Sequence, residues 1–303
     1  MARDGCAFGA GRAFVNHAGA LRRLFVVATN SASAIEPLTG AGNLRVLVNS
    51  WPKAGTHLLL ELVRHILGDG AWMDDRDVKA PGDEAGFLPG VDARIAAHQR
   101  GFAIKGHFPH SAEIENGLRD RGFRVLLVVR DLRDVACSTL RWMRDLSPDW
   151  PASQRLLELP DDDQRLLRVL DGLSNEHPFD RDSGIDWSAP LPARYRRLTA
   201  WADCLPSCAV VRYEDLLGAN GEPAQRRTIA GVVRALGCSA DDHEIARIAG
   251  AVFNPGAVTF HTGGSGGWAD SFSNQHRARF THHGGDRVNA RFGYAPTPTL
   301  DHQ

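Results

Sequence analysis

The most informative segment of the chain reads Val48-Asn49-Ser50-Trp51-Pro52-Lys53-Ala54-Gly55-Thr56-His57-Leu58. It leads from a buried apolar strand through a tight turn, which holds a proline and a glycine, into a helix. Such a turn directs free backbone N–H groups and the positive end of the helix toward an anion, and Lys53 adds a point charge beside it. The Gly-x4-Gly-Lys-Ser/Thr spacing of nucleoside triphosphatases is absent. The segment therefore predicts a phosphate-binding loop of another type; the alternative is an ordinary strand–helix turn with a surface lysine.

The overall charge limits the kinds of partner that the chain can bind. The sequence has 303 residues, 35 basic and 36 acidic side chains, and a formal net charge of −1. This balance argues against a polyanion binder, so no nucleic-acid partner is expected and any anion site must be local. Lysine occurs only at Lys53, Lys79 and Lys105. Because arginine is the usual cation in this chain, each lysine is informative.

The cysteines and the apolar runs bear on the compartment. The five cysteines form no pattern of a secreted disulfide framework and indicate a reducing environment. Cys204 and Cys208 are close, but no second Cys/His pair has zinc-finger spacing, so no metal is expected. The apolar run Leu24–Ala28 is too short for a signal sequence or a membrane span. We expect a soluble, cytoplasmic protein with no membrane partner.

The pattern of the chain changes near Leu44. Residues 1–43 are rich in Gly, Ala, Ser and Asn and predict a flexible N-terminal extension, with one short helix near Ala20–Val27. Residues 44–295 are interpreted as one domain and residues 296–303 as a C-terminal tail.

Short apolar runs alternate with amphipathic stretches from Leu44 onward. The runs predict buried strands at Arg45–Val48, Phe102–Ile104, Phe123–Val129 and Cys208–Arg212. Helical spacing of apolar residues predicts helices at Leu58–Leu67, Leu132–Met143, Gln225–Leu236 and His243–Ala251. Unbroken apolar strands separated by helices predict a P-loop-like, three-layer α/β fold with a central parallel sheet and helices on both faces.

Two segments interrupt this alternation. Residues 69–100 and 145–192 are rich in acidic residues, Pro and Gly and are predicted to be long loops, either plainly solvated or closing over a ligand. Four tryptophans in or near them would line an apolar acceptor cavity or pack in the core: Trp51, Trp72, Trp142 and Trp150.

A second candidate anion site follows the strand Phe123–Val129. Arg130 lies at the carboxyl end of this strand, where ligands collect in open α/β sheets. Ser138 follows about two helical turns later and would meet Arg130 around one anion; a surface ion pair is the alternative for Arg130. Arg133 and Asp134 are interpreted as solvated surface charges of little energetic weight.

These segments together resemble the cytosolic-type (bacterial) sulfotransferase family that uses PAPS (3′-phosphoadenosine 5′-phosphosulfate). Pro52-Lys53-Ala54-Gly55-Thr56-His57 resembles its Pro-Lys-Ser-Gly-Thr-Thr loop for the 5′-phosphosulfate, and Arg130 with Ser138 resembles its 3′-phosphate motif. Lys105-Gly106-His107-Phe108-Pro109 is similar to its Lys-Thr-His-Leu-Pro segment, whose histidine is the catalytic base. Arg212-Tyr213-Glu214-Asp215-Leu216 matches its Tyr-Glu-Asp-Leu segment, whose tyrosine touches adenine. Gly263–Phe272 is similar to its C-terminal glycine-rich loop, which wraps the cofactor.

The resemblance implies transfer of a sulfuryl group from PAPS to a hydroxyl of a small-molecule acceptor, with PAP as the product and no metal. It implies that the following residues bind the cofactor: Lys53, Ala54, Gly55, Thr56, His57, Leu58, Arg130, Ser138, Tyr213, Phe260, His261, Thr262 and Gly263. The chain departs from the family pattern at His57 and Leu58, which stand for a threonine and an adenine-stacking aromatic, and at His261-Thr262, which stand for Arg-Lys. Protonated His261 or another arginine would then have to supply the missing charge.

The chemistry of sulfuryl transfer assigns a role to each candidate catalytic residue. Lys53 suits the bridging oxygen, because a compact ammonium stabilises a single developing charge better than a planar guanidinium does. His107 suits the acceptor proton, because imidazole titrates near neutral pH. Lys105 would help to neutralise the transferring group. Only the resemblance implies that Ser138 holds Lys53 away from the cofactor until an acceptor arrives.

Three other functions remain open at the level of sequence. An ATP-dependent, kinase-like P-loop phosphotransferase would need a Gly-Lys-Ser/Thr loop and a strand-end aspartate for Mg²⁺, and Asp131 does follow a strand. A catalytically silent PAP-binding module would keep the fold without the chemistry. A sulfotransferase for polymeric glycans is the third alternative.

Overall fold

Five parallel strands form a central sheet in this computed structural model, which describes residues 35–69, 71–77, 84–98, 100–173, 187–204, 208–253 and 264–298. The strands are β1 (Arg45–Ser50), β2 (Trp72–Asp77), β3 (Phe102–Gly106), β4 (Phe123–Val129) and β5 (Cys208–Arg212). Their order across the sheet is β2-β3-β1-β4-β5, and every neighbouring pair is parallel. The carboxyl ends of β3, β1 and β4 therefore meet side by side at one edge of the sheet.

Helices connect these strands and cover the sheet. In the first half of the described chain they are α1 (Thr56–Leu67), α2 (Glu84–Ala97), α3 (Ala112–Asp120), α4 (Leu132–Arg141), α5 (Pro151–Leu157) and α6 (Asp162–Asp171). In the second half they are α7 (Leu191–Thr199), α8 (Tyr213–Leu217), α9 (Glu222–Ala235), α10 (Asp242–Ala251), α11 (Trp268–Ser271), α12 (Asn274–His282) and α13 (Gly285–Arg291). A π-helical turn, Trp142–Leu146, continues α4, and a 3-10 turn, Ala200–Asp203, continues α7.

Two apolar cores lie on opposite faces of the sheet. Alternate residues of one strand point to opposite faces, so Leu47 joins one core while Val46 and Val48 join the other. The first core is completed by α3, α4, α6 and α7, and the second by α1, α9 and α10. The central strands β1, β3 and β4 are covered on both sides, which confirms the predicted α/β fold with helices on both faces and explains why these strands are largely continuous apolar runs.

The central elements follow the sequence prediction closely. β4 and β5 have the predicted bounds, and β1 and β3 each extend two residues further. α1 begins directly after Gly55, whose φ of 112° is unfavourable for a residue with a β-carbon. It is followed by Gly68, whose φ is 79°.

The prediction of long loops at 69–100 and 145–192 is wrong over much of both segments. The first contains β2 and α2, and the second contains α5 and α6 and the start of α7. Acidic residues at the start of α6 are helix-start signals: Asp161 caps the helix by accepting the Gln164 N–H, and negative charge is favoured in the first turn. Pro151 is likewise a helix-start signal, because proline is favoured at the first position of a helix such as α5.

The predicted N-terminal helix lies outside the described residues, and the predicted domain bounds stay predictions. Residues from Ile35 onward form one compact unit. Within it, Leu38 is buried and donates its N–H to the Ile66 carbonyl at 2.9 Å. No helix in the described part of the chain is both long and apolar enough to traverse a bilayer.

Candidate active site

The turn between β1 and α1 has a strained backbone. Lys53 has a φ of 70°, the one positive value at a non-glycine position in the described ranges. Such a conformation costs about 1–3 kcal/mol and persists only where the surroundings impose it. A β-carbon on Gly55 would lie 2.3 Å from Cδ2 of Tyr213. The turn is closed by a 2.5 Å hydrogen bond between the Ser50 and Thr56 hydroxyls. It is therefore built for close approach to Tyr213.

The ammonium of Lys53 lies in a positive environment. Burial, then the charges of Arg130 and Arg141, lower the pKa of Lys53 from 10.5 to about 8. Its Nζ is 6.0 Å from the ring centre of Trp142. Cations that repel one another in a half-buried site favour a bound anion, because the anion offsets both their repulsion and their desolvation.

Arg130 joins three distant segments at the carboxyl end of β4. Its Nη1 donates to the Lys53 carbonyl at 3.1 Å, and its Nη2 donates to the Gly264 carbonyl at 2.9 Å. Its guanidinium carbon lies 4.4 Å from the ring centre of Tyr213. Only 9% of Arg130 is exposed. The predicted 5′-phosphate loop, the predicted adenine-binding tyrosine and the glycine-rich segment thus meet around one cation.

His107 follows β3 and is oriented by the end of β1. Its Nδ1 lies 2.7 Å from the Ser50 carbonyl oxygen, which can only accept a hydrogen bond, so Nδ1 carries the proton. The neutral ring then has its lone pair on Nε2, the form that a general base needs. The Asn49 side chain fixes the next residue: it accepts the Phe108 N–H at 3.2 Å and donates to the Phe108 carbonyl at 3.0 Å.

The remaining predicted site residues are spread over the same edge. Lys105 is buried on β3, beside Val48 of β1. Ser138 is half-buried in α4. Of the loop residues, Ala54 is buried in the core, while His57 and Leu58 are half-buried in the first turn of α1. The last four predicted cofactor contacts lie outside the described residues: Phe260, His261, Thr262 and Gly263.

The prediction that Arg133 and Asp134 are solvated surface charges is wrong. They are 2% and 1% exposed. Arg133 forms a bidentate ion pair with Asp131, with distances of 2.9 and 2.7 Å, and its guanidinium carbon stacks 3.8 Å from the ring centre of Trp268. The physical reason is tertiary: the C-terminal part of the chain folds back over the start of α4 and covers this face.

Asp134 anchors the glycine-rich segment, a role that the sequence reasoning missed. Its carboxylate accepts the backbone N–H of Gly266 at 2.7 Å and that of Trp268 at 3.0 Å. Burial raises the pKa of Asp134, and the two N–H donors and Arg130 act in the opposite direction. Asp134 lies four residues after Arg130 in the first turn of α4, and this closeness to a predicted site residue is the one sequence feature that could have indicated its role.

The Tyr-Glu-Asp-Leu segment also holds the strand ends together. Glu214 accepts the Asp131 N–H at 3.1 Å with one oxygen and the Tyr294 hydroxyl at 2.6 Å with the other. Tyr195 donates to the Arg130 carbonyl at 3.2 Å. These buried contacts fix the position from which Arg130 projects.

The fold matches that of a solved sulfotransferase structure. Mouse sulfotransferase SULT7A1, crystallised with PAP, is similar to this chain with a TM-score of 0.59 at 17% sequence identity, over 83% of this chain and 89% of its own. This chain has the sulfotransferase fold. A retinol dehydratase in complex with androsterone and PAP is 18% identical over 84% and 83% of the two chains, with a TM-score of 0.49. A sulfotransferase from Alicyclobacillus acidocaldarius is 15% identical over 84% and 97%, with a TM-score of 0.42. No protein-family model and no curated protein sequence matches the chain.

Positive charge gathers at this edge of the sheet, and the strand-end carboxylate there is already engaged in hydrogen bonds. Both oxygens of the strand-end Asp131 accept hydrogen bonds from Arg133, and one also accepts from the Asn289 side chain at 3.0 Å. Those bonds would have to break before Asp131 could coordinate a metal. Lys53, Arg130 and the start of α1 present positive charge at the same edge, beside the His107 loop.

Proposed function

We propose that this protein is a PAPS-dependent sulfotransferase that moves the sulfuryl group from PAPS to a hydroxyl of a small-molecule acceptor and releases PAP. The observation that carries the proposal is the convergence on Arg130. This side chain contacts the Lys53 loop, Tyr213 and the glycine-rich segment at Gly264, which are far apart in the sequence. The fold shared with a sulfotransferase crystallised with PAP supports the same conclusion.

The anion cradle assigns the two ends of the donor to different residues. Lys53 and the start of α1 hold the 5′-phosphosulfate, and Arg130 with Ser138 holds the 3′-phosphate. Tyr213 contacts the adenine. The other proposed contacts surround the same molecule: Ala54, Gly55, Thr56, His57, Leu58, Phe260, His261, Thr262 and Gly263. Burial, and then the charges of Arg130 and Arg141, lower the pKa of Lys53, and the negative charge of a phosphosulfate would offset both effects.

The transfer step uses the base and the two lysines. His107 Nε2 accepts the proton of the acceptor hydroxyl while the hydroxyl oxygen forms a bond to sulfur. The bond from sulfur to the bridging oxygen breaks, and its electron pair stays on that oxygen, where Lys53 stabilises the negative charge. Lys105 neutralises the equatorial oxygens of the moving group, and Ser138 positions Lys53. The donor supplies the activated S–O bond; the chain supplies position and charge.

The alternatives are less well supported by the same residues. An ATP phosphotransferase needs a carboxylate for Mg²⁺, and Asp131 is paired with Arg133 in a buried ion pair. A catalytically silent PAP-binding module does not need a histidine whose hydrogen bond selects the basic tautomer. The unpatterned cysteines keep the cytoplasm as the proposed compartment.

Calorimetry with PAP tests the donor assignment. Arg130→Ala removes a charge-assisted contact worth about 1.5–3 kcal/mol, so the affinity for PAP should fall roughly ten- to a hundredfold. Adenosine 5′-phosphosulfate lacks the 3′-phosphate, so its affinity for the chain should fall much less in the same variant. The matched control is Arg124→Ala, because this arginine lies on the same strand with an exposed side chain. Equal losses for both ligands, or no PAP binding by the wild-type chain, would reject the assignment.

A further inference from the structure

A second group of chemically reactive side chains lies next to the loop of the proposed base. His110 follows the His107 loop, Glu115 lies in α3, and Cys204 follows the 3-10 turn Ala200–Asp203. One ligand-type atom from each of these residues lies within 4.8 Å of the others. The proposed sulfuryl transfer uses none of them. His110 and Glu115 are neighbours around the start of α3, whereas Cys204 reaches them from a distant segment, so the convergence of all three needs an explanation of its own.

Two protons hold this cluster together. His110 Nε2 lies 2.9 Å from a Glu115 carboxylate oxygen, so the imidazole donates to the carboxylate. Burial and a hydrogen bond with Glu115 raise the pKa of the Cys204 thiol to about 12. A divalent cation would replace both contacts: the thiol would release its proton to solvent, and the imidazole would give up the proton on Nε2 and carry its N–H on Nδ1 instead, which leaves the Nε2 lone pair for the ion. One thiolate and one carboxylate would then neutralise the two positive charges.

The surroundings orient the ligands. The His110 ring stands at 90° to the Trp201 ring, with centres 5.1 Å apart. The backbone N–H of His110 donates to the Arg197 carbonyl at 3.4 Å, which holds the main chain at this position. Arg119 lies 3.9 Å from the second oxygen of Glu115. Such outer contacts tune metal sites by fixing ring and carboxylate orientation. The His110 and Glu115 side chains are 24% and 17% exposed, so an ion has a path from solvent.

We propose that His110, Glu115 and Cys204 bind one Zn²⁺ ion, with water at the fourth position. Sulfur, nitrogen and oxygen donors of this kind favour zinc over Mg²⁺ or Ca²⁺, which take oxygen donors. Zinc–ligand distances of about 2.0–2.3 Å place tetrahedral donor atoms some 3–4 Å apart, so the observed spacing needs only small side-chain movements. Finger-type sequence spacing gives no sign of this site, because Cys204 lies far along the chain from His110 and Glu115.

The ion would brace the loop that carries the proposed base. His110 lies three residues after His107, and the Trp201 indole donates to the Phe108 carbonyl at 3.2 Å. Zinc at Cys204 would tie this loop to the segment before β5. An ion that binds only the folded chain raises the unfolding temperature by mass action. The effect does not depend on PAP, so it can be tested apart from the proposed sulfuryl transfer.

Cobalt substitution tests the site directly. The full chain is freed of metal with a chelator, kept under a reductant and titrated with Co²⁺. The expected result is one Co²⁺ per chain, with the visible bands of tetrahedral coordination and a thiolate charge-transfer band, both displaced by Zn²⁺. Cys204→Ser should abolish the charge-transfer band, and His110→Ala and Glu115→Gln should each weaken binding by at least about tenfold. The controls Cys238→Ser and His243→Ala should behave as wild type.

Two outcomes would overturn the zinc site. One is a wild-type chain that shows no stoichiometric Co²⁺ spectrum and no rise in unfolding temperature with Zn²⁺. The other is a spectrum that persists unchanged in Cys204→Ser. Circular dichroism identifies variants that fail to fold. Glu115→Gln keeps the size and the hydrogen-bonding capacity of the side chain, so it tests the site if Cys204→Ser does not fold.

Discussion

Lys53 combines a strained backbone with a charge that its neighbours disfavour. Its φ is 70°, and burial with the nearby guanidinium groups of Arg130 and Arg141 lowers its pKa to about 8. The ammonium is therefore fully present only below this pH and is lost as the pH rises through it. A bound phosphosulfate would favour the charged form and raise the pKa again.

Cofactor binding should consequently depend on pH in the alkaline range. We expect the affinity for PAP to fall as the pH rises from about 7 to 9.5, with proton uptake on binding near the upper end. Phosphate groups are already ionised there, since their second pKa is about 6. In Lys53→Arg the fall should disappear, because guanidinium keeps its charge throughout. Calorimetry in buffers of different ionisation enthalpy measures both quantities. A wild-type affinity that is constant over this range would contradict the role of Lys53.

His107 should affect turnover without affecting the donor. His107→Ala is expected to leave PAP affinity near wild type, because its imidazole is assigned to the acceptor hydroxyl. Turnover should fall by the ~10²–10⁴-fold typical of the loss of a general base. The control is His243→Ala, at an exposed position in α10. A variant that keeps wild-type turnover with every accepted alcohol would place the base elsewhere.

Gly55 shows how little space the turn leaves. A β-carbon there would overlap Tyr213, and the substituted residue would have to adopt a φ of 112°, which residues with a side chain rarely do. Gly55→Ala should lower both the unfolding temperature and the PAP affinity, because Tyr213 must move. The matched control is Gly231→Ala inside α9, where a β-carbon meets open space; it should stabilise the chain by about 0.5–1 kcal/mol. The unfolding temperatures of Gly55→Ala and Gly231→Ala are compared with that of the wild type. Similar changes in both variants would contradict the close approach of Gly55 to Tyr213.

At the scale of elements, the glycine-rich segment depends on α4 for its position. Asp134→Ala removes the acceptor of the Gly266 and Trp268 N–H groups. We expect faster hydrogen exchange across residues 264–272 and weaker PAP binding, by roughly tenfold or more, since hydrogen bonds to a charged group contribute about 1.5–3 kcal/mol. Asp270→Ala, at an exposed position in the same segment, is the control. Unchanged exchange in Asp134→Ala would mean that other contacts hold the segment.

Elements were predictable from sequence where burial dictated their composition. β1 and β4 are almost wholly buried apolar runs, and β5 is an apolar run at the sheet edge whose Val210 is exposed, so the apolar pattern of all three is clear. β2 was missed because its sequence, Trp-Met-Asp-Asp-Arg-Asp, contains too few apolar residues to read as a buried run, as befits the edge of the sheet. α2 was missed because it carries Pro89 in its interior. In both cases the local signal pointed away from the regular structure that tertiary contacts stabilise.

At the scale of the molecule, the site is a product of strand order. β3, β1 and β4 are neighbours, which brings the segments of His107, Lys53 and Arg130 to one edge. The motifs and their order were visible in the sequence. The burial of Arg133 and Asp134 was not, because the partners of Asp134 lie 132 and 134 residues further along the chain. A local sequence pattern cannot show that a segment so far along the chain will bury these two side chains.

The proposed transfer of a sulfuryl group from PAPS to a hydroxyl can be measured directly. The most direct measurement supplies radiolabelled PAPS with a panel of phenols, aliphatic alcohols and sugars, and follows labelled product and PAP together. We predict that at least one acceptor is labelled in step with PAP release, and that Lys53→Ala loses this activity while ATP supports no transfer. A wild-type chain that binds PAP but labels no acceptor, or one that transfers a phosphoryl group from ATP instead, would contradict the account.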